Sequence, residues 1–421
     1  LRTKVPDAHF TARYRIETPL PLEQVAEIMA GEQSCGTFTR VEGETDELRQ
    51  RARAVVTGIR DLGETPPSLP SAWLERKGMA DRVHVGEVAI RFPVANVGAN
   101  LPTLASIVAG NLFDLGETTG LRLESIELTP GFRARFERPR RGIGGTRALA
   151  DCLDGPLIGS IIKPNVGLSA GETAALVGKL CAAGVDFIKD DEISANPDHA
   201  PLSERVPAVM AVVREHADRT GKHVMVAFNI TDETDAMRQH AEMVVREGGT
   251  CVMVSLNWCG LSAVETLRRS TDLAIHGHRN GFGAMSRHHA LGIGFNAYQV
   301  LWRLAGVDHM HVHGLGGKFA QADHEVIEGA HACLTPLGGT DDRVLPAFSS
   351  GPVPQTFAAV GSMDLLFLAG GGIMAHPGGP AAGVESIREA WRAVAAGEDL
   401  ETAARSHRPL AEALARFGSR S

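Results

Sequence analysis

Four consecutive residues, Lys189-Asp190-Asp191-Glu192, concentrate the most reactive chemistry in the chain. If they close a β-strand, Lys189 and Asp191 share a face, since side chains two apart point the same way. Glu192 then lies where the strand ends and can swing in beside them. Two carboxylates next to a partly buried lysine can assemble a hard oxygen site for Mg²⁺. An ammonium would repel the ion. The conflict is resolved if burial lowers the lysine pKa and the neutral amine takes up CO₂ as a carbamate, a third anionic oxygen ligand. Taken alone, the same string reads first as a solvated charge run or a structural ion pair, and its place at the end of a barrel strand turns the balance towards a metal site.

Other reactive groups fall at comparable points along the chain. Lys163-Pro164-Asn165, Asn229, the run His276, His278 and Arg279, and His309, His311 and His313 each end a short apolar stretch. Lys318 follows in the glycine-containing loop GLGGKF, which suits a lid carrying one charge. Ser350-Gly351 and Gly370-Gly371-Gly372 close the series, ahead of His376-Pro377. Backbone N–H groups of such glycines can face a phosphate, whereas the bland alternative is a turn needing positive φ. Arg279 can bind a second phosphate or a carboxylate bidentately. A single histidine in this set is most simply a satisfied core residue. His309, His311 and His313 share one face if their strand persists that far.

The elements that must carry these groups are regular from residue 147 onward. Apolar runs at 156–163, 185–190, 223–230, 250–256, 272–278, 308–313, 343–349 and 364–369 each precede a helix-like segment, among them 170–183, 204–216, 235–247 and 382–395. Eight near-continuous apolar strands alternating with helices predict a closed (β/α)₈ barrel over 138–421. An open doubly wound sheet is the second choice. In a barrel, chemistry lies at the C-terminal strand ends, which is where all the groups above fall. Residues 1–137 mix strand-like stretches at 10–16 and 83–92 with helical ones at 22–29 and 101–112, the latter opened by Asn100, and predict a small α+β domain. The basic, glycine-rich segment 138–146 (RPRRGIGGT) reads as a linker or lid.

Composition narrows the classes. The 421 residues are 43% hydrophobic and 22% charged, an ordinary globular balance that excludes wholesale disorder. A net charge of −8 argues against a general nucleic-acid binder. The six cysteines, Cys35, Cys152, Cys181, Cys251, Cys259 and Cys333, form no CxxC pair and read as reduced thiols of a cytoplasmic protein. No run of about 18 uncharged apolar residues occurs, so no membrane span is expected. The charged stretch 1–9 lacks an apolar signal core.

Taken in order, these motifs resemble the ribulose bisphosphate carboxylase (RuBisCO) superfamily. The stretches are GEQSCGTFT, SIIKPNVGLS, GVDFIKDDE, HGHR, GVDHMHVHGLGGK, FSSG and AGGGIMAHPGGP, spread over nearly the whole chain. The resemblance implies an N-terminal ferredoxin-like domain followed by the barrel. It implies Lys189 as a carbamate, with Asp191 and Glu192, as ligands of Mg²⁺. Lys163 is implied as an acid/base group, Lys318 as the lid lysine, and His278 joins the catalytic candidates. Thr37, Gly370 and Gly371 match one phosphate site; Arg279, His311 and Ser350, with Gly351 beside it, match the anion site opposite. Glu32 matches a residue that acts on the neighbouring subunit's site, which implies a homodimer with the active site at the subunit interface.

Departures from the carboxylase pattern stand at Asn165, Phe38, Val312-His313-Gly314, Pro352 and Phe282, so fixation of CO₂ on ribulose bisphosphate is not expected. The chain looks like a RuBisCO-like (form IV) protein. HGHRNG and DHMHVHGL look most like the branch acting on 3-oxo-isoapionate 4-phosphate, by decarboxylation or by transcarboxylation and hydrolysis, through a metal-bound enediolate. The alternative is the methionine-salvage branch, a 2,3-diketo-5-methylthiopentyl-1-phosphate enolase or a methylthioribulose-1-phosphate isomerase. A zinc amidohydrolase barrel would need its His-x-His on the first strand, where there is none.

Overall fold

The computed structural model describes residues 8–36, 41–78 and 81–418, and Thr37 and Phe38 lie outside them. The chain divides into two compact units. The first comprises the residues up to Glu137 together with Gly281–Ala305 and Pro336–Asp341; the second comprises the remainder.

The first unit is built on four antiparallel strands, β1 (His9–Thr18), β2 (Val55–Thr65), β3 (Val83–Pro93) and β4 (Gly120–Glu127), in the order β4-β1-β3-β2. That order, with helices Leu22–Glu32 and Leu101–Ala109 between the strands, is the ferredoxin-like arrangement. β1 alternates as its sequence suggests, burying Phe10, Ala12, Tyr14 and Ile16. The helix Leu101–Ala109 starts where Asn100 accepts a hydrogen bond from the Thr103 N–H at 2.9 Å, an N-cap that satisfies one otherwise orphaned donor. It ends at Ala109, short of the expected 112, because a separate 3₁₀ turn, Asn111–Asp114, follows. A fifth strand, Leu291–Ile293, joins the sheet parallel to β4, pairing Leu291 with Leu121 and Ile293 with Leu123.

All eight expected barrel strands form and close on themselves. In chain order they are Leu157–Ile161, Phe187–Lys189, Met225–Asn229, Cys251–Ser255, Ala274–His278, His309–Val312, Leu345–Ser349 and Leu366–Leu368, called barrel strands one to eight below. Leu157, Phe187, Met225, Cys251, Ala274, Leu345 and Leu366 make one continuous buried cluster. Strand alternation carries that inward face up to Lys189, Asn229, Ser255 and His278 at the C-terminal ends. The apolar filling thus gives way to polar groups towards this mouth. Helices cover the outside, among them Ala170–Ala182, opened by a reciprocal capping box between Ser169 and Glu172.

Segment 138–146 is not a linker. Its second half starts the helix Gly142–Leu149, and Ile143 and Leu149 pack against the barrel core. The reason is electrostatic. The buried Asp308 carboxylate accepts hydrogen bonds from the N–H groups of Arg141 (2.5 Å), Gly142 (2.8 Å) and Ile275 (2.9 Å) and pairs with Arg268 at 3.1 Å. A glycine-rich string that reads as loop on composition becomes ordered because its backbone satisfies a buried charge. Asp186 acts similarly before strand two. It accepts from the Ile158 N–H at 2.8 Å and pairs with Lys222 at 2.7 Å and Arg388 at 2.8 Å. Each aspartate pins the backbone of the neighbouring strand and so helps to fix the barrel register.

Candidate active site

The Lys189-Asp190-Asp191-Glu192 string splits by direction. Asp190 turns away from the mouth, where it accepts from the Asn229 N–H at 2.9 Å and pairs with Arg205 at 3.2 Å. Lys189, Asp191 and Glu192 face the mouth. Lys189 is 1% exposed, and its Nζ lies 2.8 Å from the Asp190 carbonyl, 3.6 Å from Met253 Sδ and 3.7 Å from Glu192 Oε2. Burial pushes its amine below the usual lysine range, against the pull of the Glu192, Asp191 and Asp190 charges, with Lys163 adding to the fall. A neutral amine is the species that captures CO₂, so its environment favours the form that carbamylation requires.

Lys163 reaches across from the end of strand one, its Nζ donating to Asp191 Oδ2 at 2.7 Å and to Asn165 Oδ1 at 2.9 Å. Asn229 Nδ2 donates to the Asp191 carbonyl at 3.0 Å and holds that turn in place. On the other side, His278 Nε2 lies 3.6 Å from Glu192 Oε2, while His278 Nδ1 accepts from the Asn280 N–H at 3.3 Å. Because Nδ1 is the acceptor, Nε2 carries the proton and faces the glutamate. Burial holds His278 down at about 3, so the ring is neutral at working pH.

Beyond His278 the rings continue. His278 and His311 lie 4.6 Å apart between centroids, and His311 and His313 6.1 Å. Strand six stops at Val312, so His313 belongs to the following loop rather than to a shared strand face. His309 sits deeper, with Nε2 2.8 Å from Thr146 Oγ1, as a core histidine does. Burial pushes its pKa from 6.5 to about 3. Between those values the unfolded chain binds a proton that the folded one refuses, so stability is full above 6.5 and is lost as pH falls towards 3. We expect this residue to add a slope of up to about 1.4 kcal/mol per pH unit across that window. Urea unfolding of His309→Gln at about pH 5 and about pH 7 should show a correspondingly smaller acid loss than the parent chain.

Arg279, 4% exposed, donates through Nη2 to Gln321 Oε1 at 2.6 Å. Lys318 lies in the exposed loop after strand six, with Nζ 5.3 Å from the Phe319 ring centroid. Ser350 follows strand seven, and its N–H donates to the Leu368 carbonyl at 2.8 Å, which draws this loop to the end of strand eight. Gly351 is required for packing, since a Cβ there would lie 2.8 Å from the Leu315 carbonyl. Gly370 and Gly371 begin the short helix Gly370–Met374. None of the triplet has positive φ, so the turn explanation fails. A Cβ at Gly370 or Gly371 would meet no protein atom within 4 Å. Neither backbone strain nor packing against the protein asks for glycine there, and the backbone is open to close approach. His376 is structural, with Nε2 2.9 Å from the Pro409 carbonyl. Glu32 ends its helix in the first unit and accepts from Asn111 Nδ2 at 3.3 Å.

The structure therefore brings Lys163, Lys189, Asp191, Glu192 and His278 into one cluster at the barrel mouth, and the ring series from His278 through His311 to His313 leads from it towards Arg279. Sequence reading missed Gln321, Phe319 and Asn280, for which neither spacing nor composition carries a signal. No group of three His, Cys, Asp or Glu side chains able to hold a metal ion occurs among the described residues. A divalent cation here has two carboxylates and needs a further anionic donor. A carbamate on the buried Lys189 would supply one, so the residues fit Mg²⁺ on that condition.

A ferredoxin-like unit and a (β/α)₈ barrel with this lysine–carboxylate cluster define one class of protein. The chain belongs to the ribulose bisphosphate carboxylase large-chain family: the catalytic domain of that family matches residues 142–417 and the N-terminal domain residues 3–132. Two relatives show where in the family it falls. A 3-oxo-isoapionate-4-phosphate transcarboxylase/hydrolase of Xanthobacter autotrophicus is 48% identical, over 96% of this chain and 98% of the relative. A 3-oxo-isoapionate-4-phosphate decarboxylase of Rhizobium etli is 40% identical, over 97% of this chain and 98% of the relative. Among solved structures, a rubisco-like protein from Burkholderia fungorum has a TM-score of 0.93 at 60% identity, covering 97% of this chain and 100% of that one. No helix among the described residues is long and apolar enough to cross a membrane.

Proposed function

We propose that this protein cleaves a carbon–carbon bond in a phosphorylated 3-oxo sugar acid, 3-oxo-isoapionate 4-phosphate, by decarboxylation or by transcarboxylation and hydrolysis. The observation that carries this reading is the buried Lys189 amine between two mouth-facing carboxylates, in a chain whose relatives are named for that substrate. Lys189 as its carbamate, Asp191 and Glu192 would hold Mg²⁺, which when bound would polarise the keto oxygen and stabilise the charge that develops as a β-keto acid loses CO₂.

The remaining steps belong to the chain itself. Lys163 Nζ, fixed by Asp191 and Asn165, is placed to give a proton to the carbon left behind. Neutral His278, with its tautomer set by Asn280, orients Glu192. The open backbone at Gly370 and Gly371 receives the phosphate and sets the register of the reacting carbon. Arg279 holds the anionic group at the other end, together with His311 and Ser350.

The test incubates purified protein with 3-oxo-isoapionate 4-phosphate, Mg²⁺ and bicarbonate, and follows CO₂ release and the phosphorylated product by mass spectrometry. Consumption with loss of one carbon supports decarboxylation, and a carboxylated product pair supports transcarboxylation. Turnover of 2,3-diketo-5-methylthiopentyl 1-phosphate in its place would replace this reading with an enolase. We also propose the homodimer that Glu32 implies. Sedimentation of the same preparation should then give twice the 44.7 kDa chain mass.

A further inference from the structure

The loop between strand six and the helix Asp323–Leu334 is tied to the site at points that the mechanism above does not use. Its base is immobilised by shape, because a Cβ at Gly314 would lie 2.3 Å from the Ser349 carbonyl, and Leu315 is buried. Its tip, residues 316–320, is exposed. Two side chains hold that tip down. Phe319 stacks on His313, with centroids 4.2 Å apart and planes at 16°. Gln321 accepts from Arg279 Nη2 at 2.6 Å. Arg279 only donates, so the glutamine must present its oxygen, the neutral counterpart of a carboxylate or phosphate oxygen.

We propose that Gln321 is a specificity-determining residue: its amide oxygen holds the Arg279 guanidinium in the free protein, and a substrate is accepted when its own anionic oxygen takes that place. This rests on the reading that Arg279 binds a substrate anion. A charged oxygen forms the stronger bond to guanidinium and displaces the amide, while a neutral analogue of the same shape does not. Displacement removes one of the two side-chain contacts that hold the tip carrying Lys318 and Phe319, and leaves it the ring stack. Substrate arrival at Arg279 is thereby coupled to movement of the lid lysine. Gln321 acts through Arg279 and the loop, and so is a positioning residue.

The experiment compares Gln321→Ala and Gln321→Glu with the parent protein. It measures KM and kcat for 3-oxo-isoapionate 4-phosphate and, independently of turnover, the Kd of the same compound by calorimetry without Mg²⁺. Removing the competing oxygen should lower KM and Kd by about tenfold, the factor set by one charge-assisted hydrogen bond. The glutamate, a permanent charged competitor, should raise both by at least as much. Opposite shifts from two substitutions at one position are not the signature of a merely structural role. Both variants staying within about twofold of the parent would overturn the latch. Arg279→Lys distinguishes the two layers. If it raises KM while the Gln321 variants do nothing, the anion role of Arg279 stands and the latch is wrong. If it leaves KM unchanged, the assignment of Arg279 falls and the latch with it.

Discussion

Lys189→Met abolishes magnesium-dependent turnover, with an expected fall in kcat/KM of about 10³-fold or more. Methionine keeps the length and much of the volume of the lysine, so the barrel interior around it stays filled. What it removes is the buried amine whose environment favours the neutral, CO₂-accepting form. Two carboxylates remain, one of them paired with Lys163 at 2.7 Å, and the third anionic oxygen that the carbamate would supply is lost. Two readouts besides rate separate this account from a general collapse. Thermal melts of the parent protein should rise on adding Mg²⁺ and bicarbonate together, as binding to the folded state requires, and those of the variant should not. A carbamate resonance from ¹³C-bicarbonate should be present in the parent and absent in the variant. Undiminished turnover by Lys189→Met would remove the basis for the whole metal site.

Lys163→Met is the second large effect. Proton transfer by a positioned side chain contributes about 10²–10⁴-fold, and kcat should fall within that range. Metal binding should move the other way. Lys163 Nζ lies 2.7 Å from Asp191 Oδ2, so removing its charge leaves that carboxylate free for a cation. A Mg²⁺ titration should therefore show affinity in the variant unchanged or tighter. Loss of activity together with loss of Mg²⁺ affinity would mean that Lys163 supports the site's structure rather than moving a proton.

The barrel was legible because its physics is local. Each strand is a short apolar run buried on both faces, such as Met225–Asn229 or Cys251–Ser255, followed by a helix, two of which start at a side-chain cap, Ser169 and Glu233. The first unit was less legible. β2 is exposed along nearly its whole length, so no alternation betrays it, and Leu291–Ile293 is three residues long, too short to show a period. Segment 138–146 was misread for a non-local reason: the carboxylate that orders it, Asp308, lies more than 160 positions away.

The same division runs through the site. Lys189, Asp191, Glu192 and the glycine triplet carry their chemistry in residue type and spacing. Gln321 is an ordinary polar residue in a loop. Its contact with Arg279 exists only because strands five and six lie side by side, with His309 opposite His276. Orientation was equally invisible, since nothing in the order of Asp190 and Asp191 says that the first serves Arg205 and the second Lys163.

The short strand Leu291–Ile293 bears on how the chain is made. During synthesis the four strands of the first unit leave the ribosome early, and the segment that pairs with β4 leaves only after barrel strands one to five. Throughout that interval β4 offers a row of unsatisfied backbone donors and acceptors to any other nascent chain nearby. Three late residues thus act as the seal on the earliest part of the molecule.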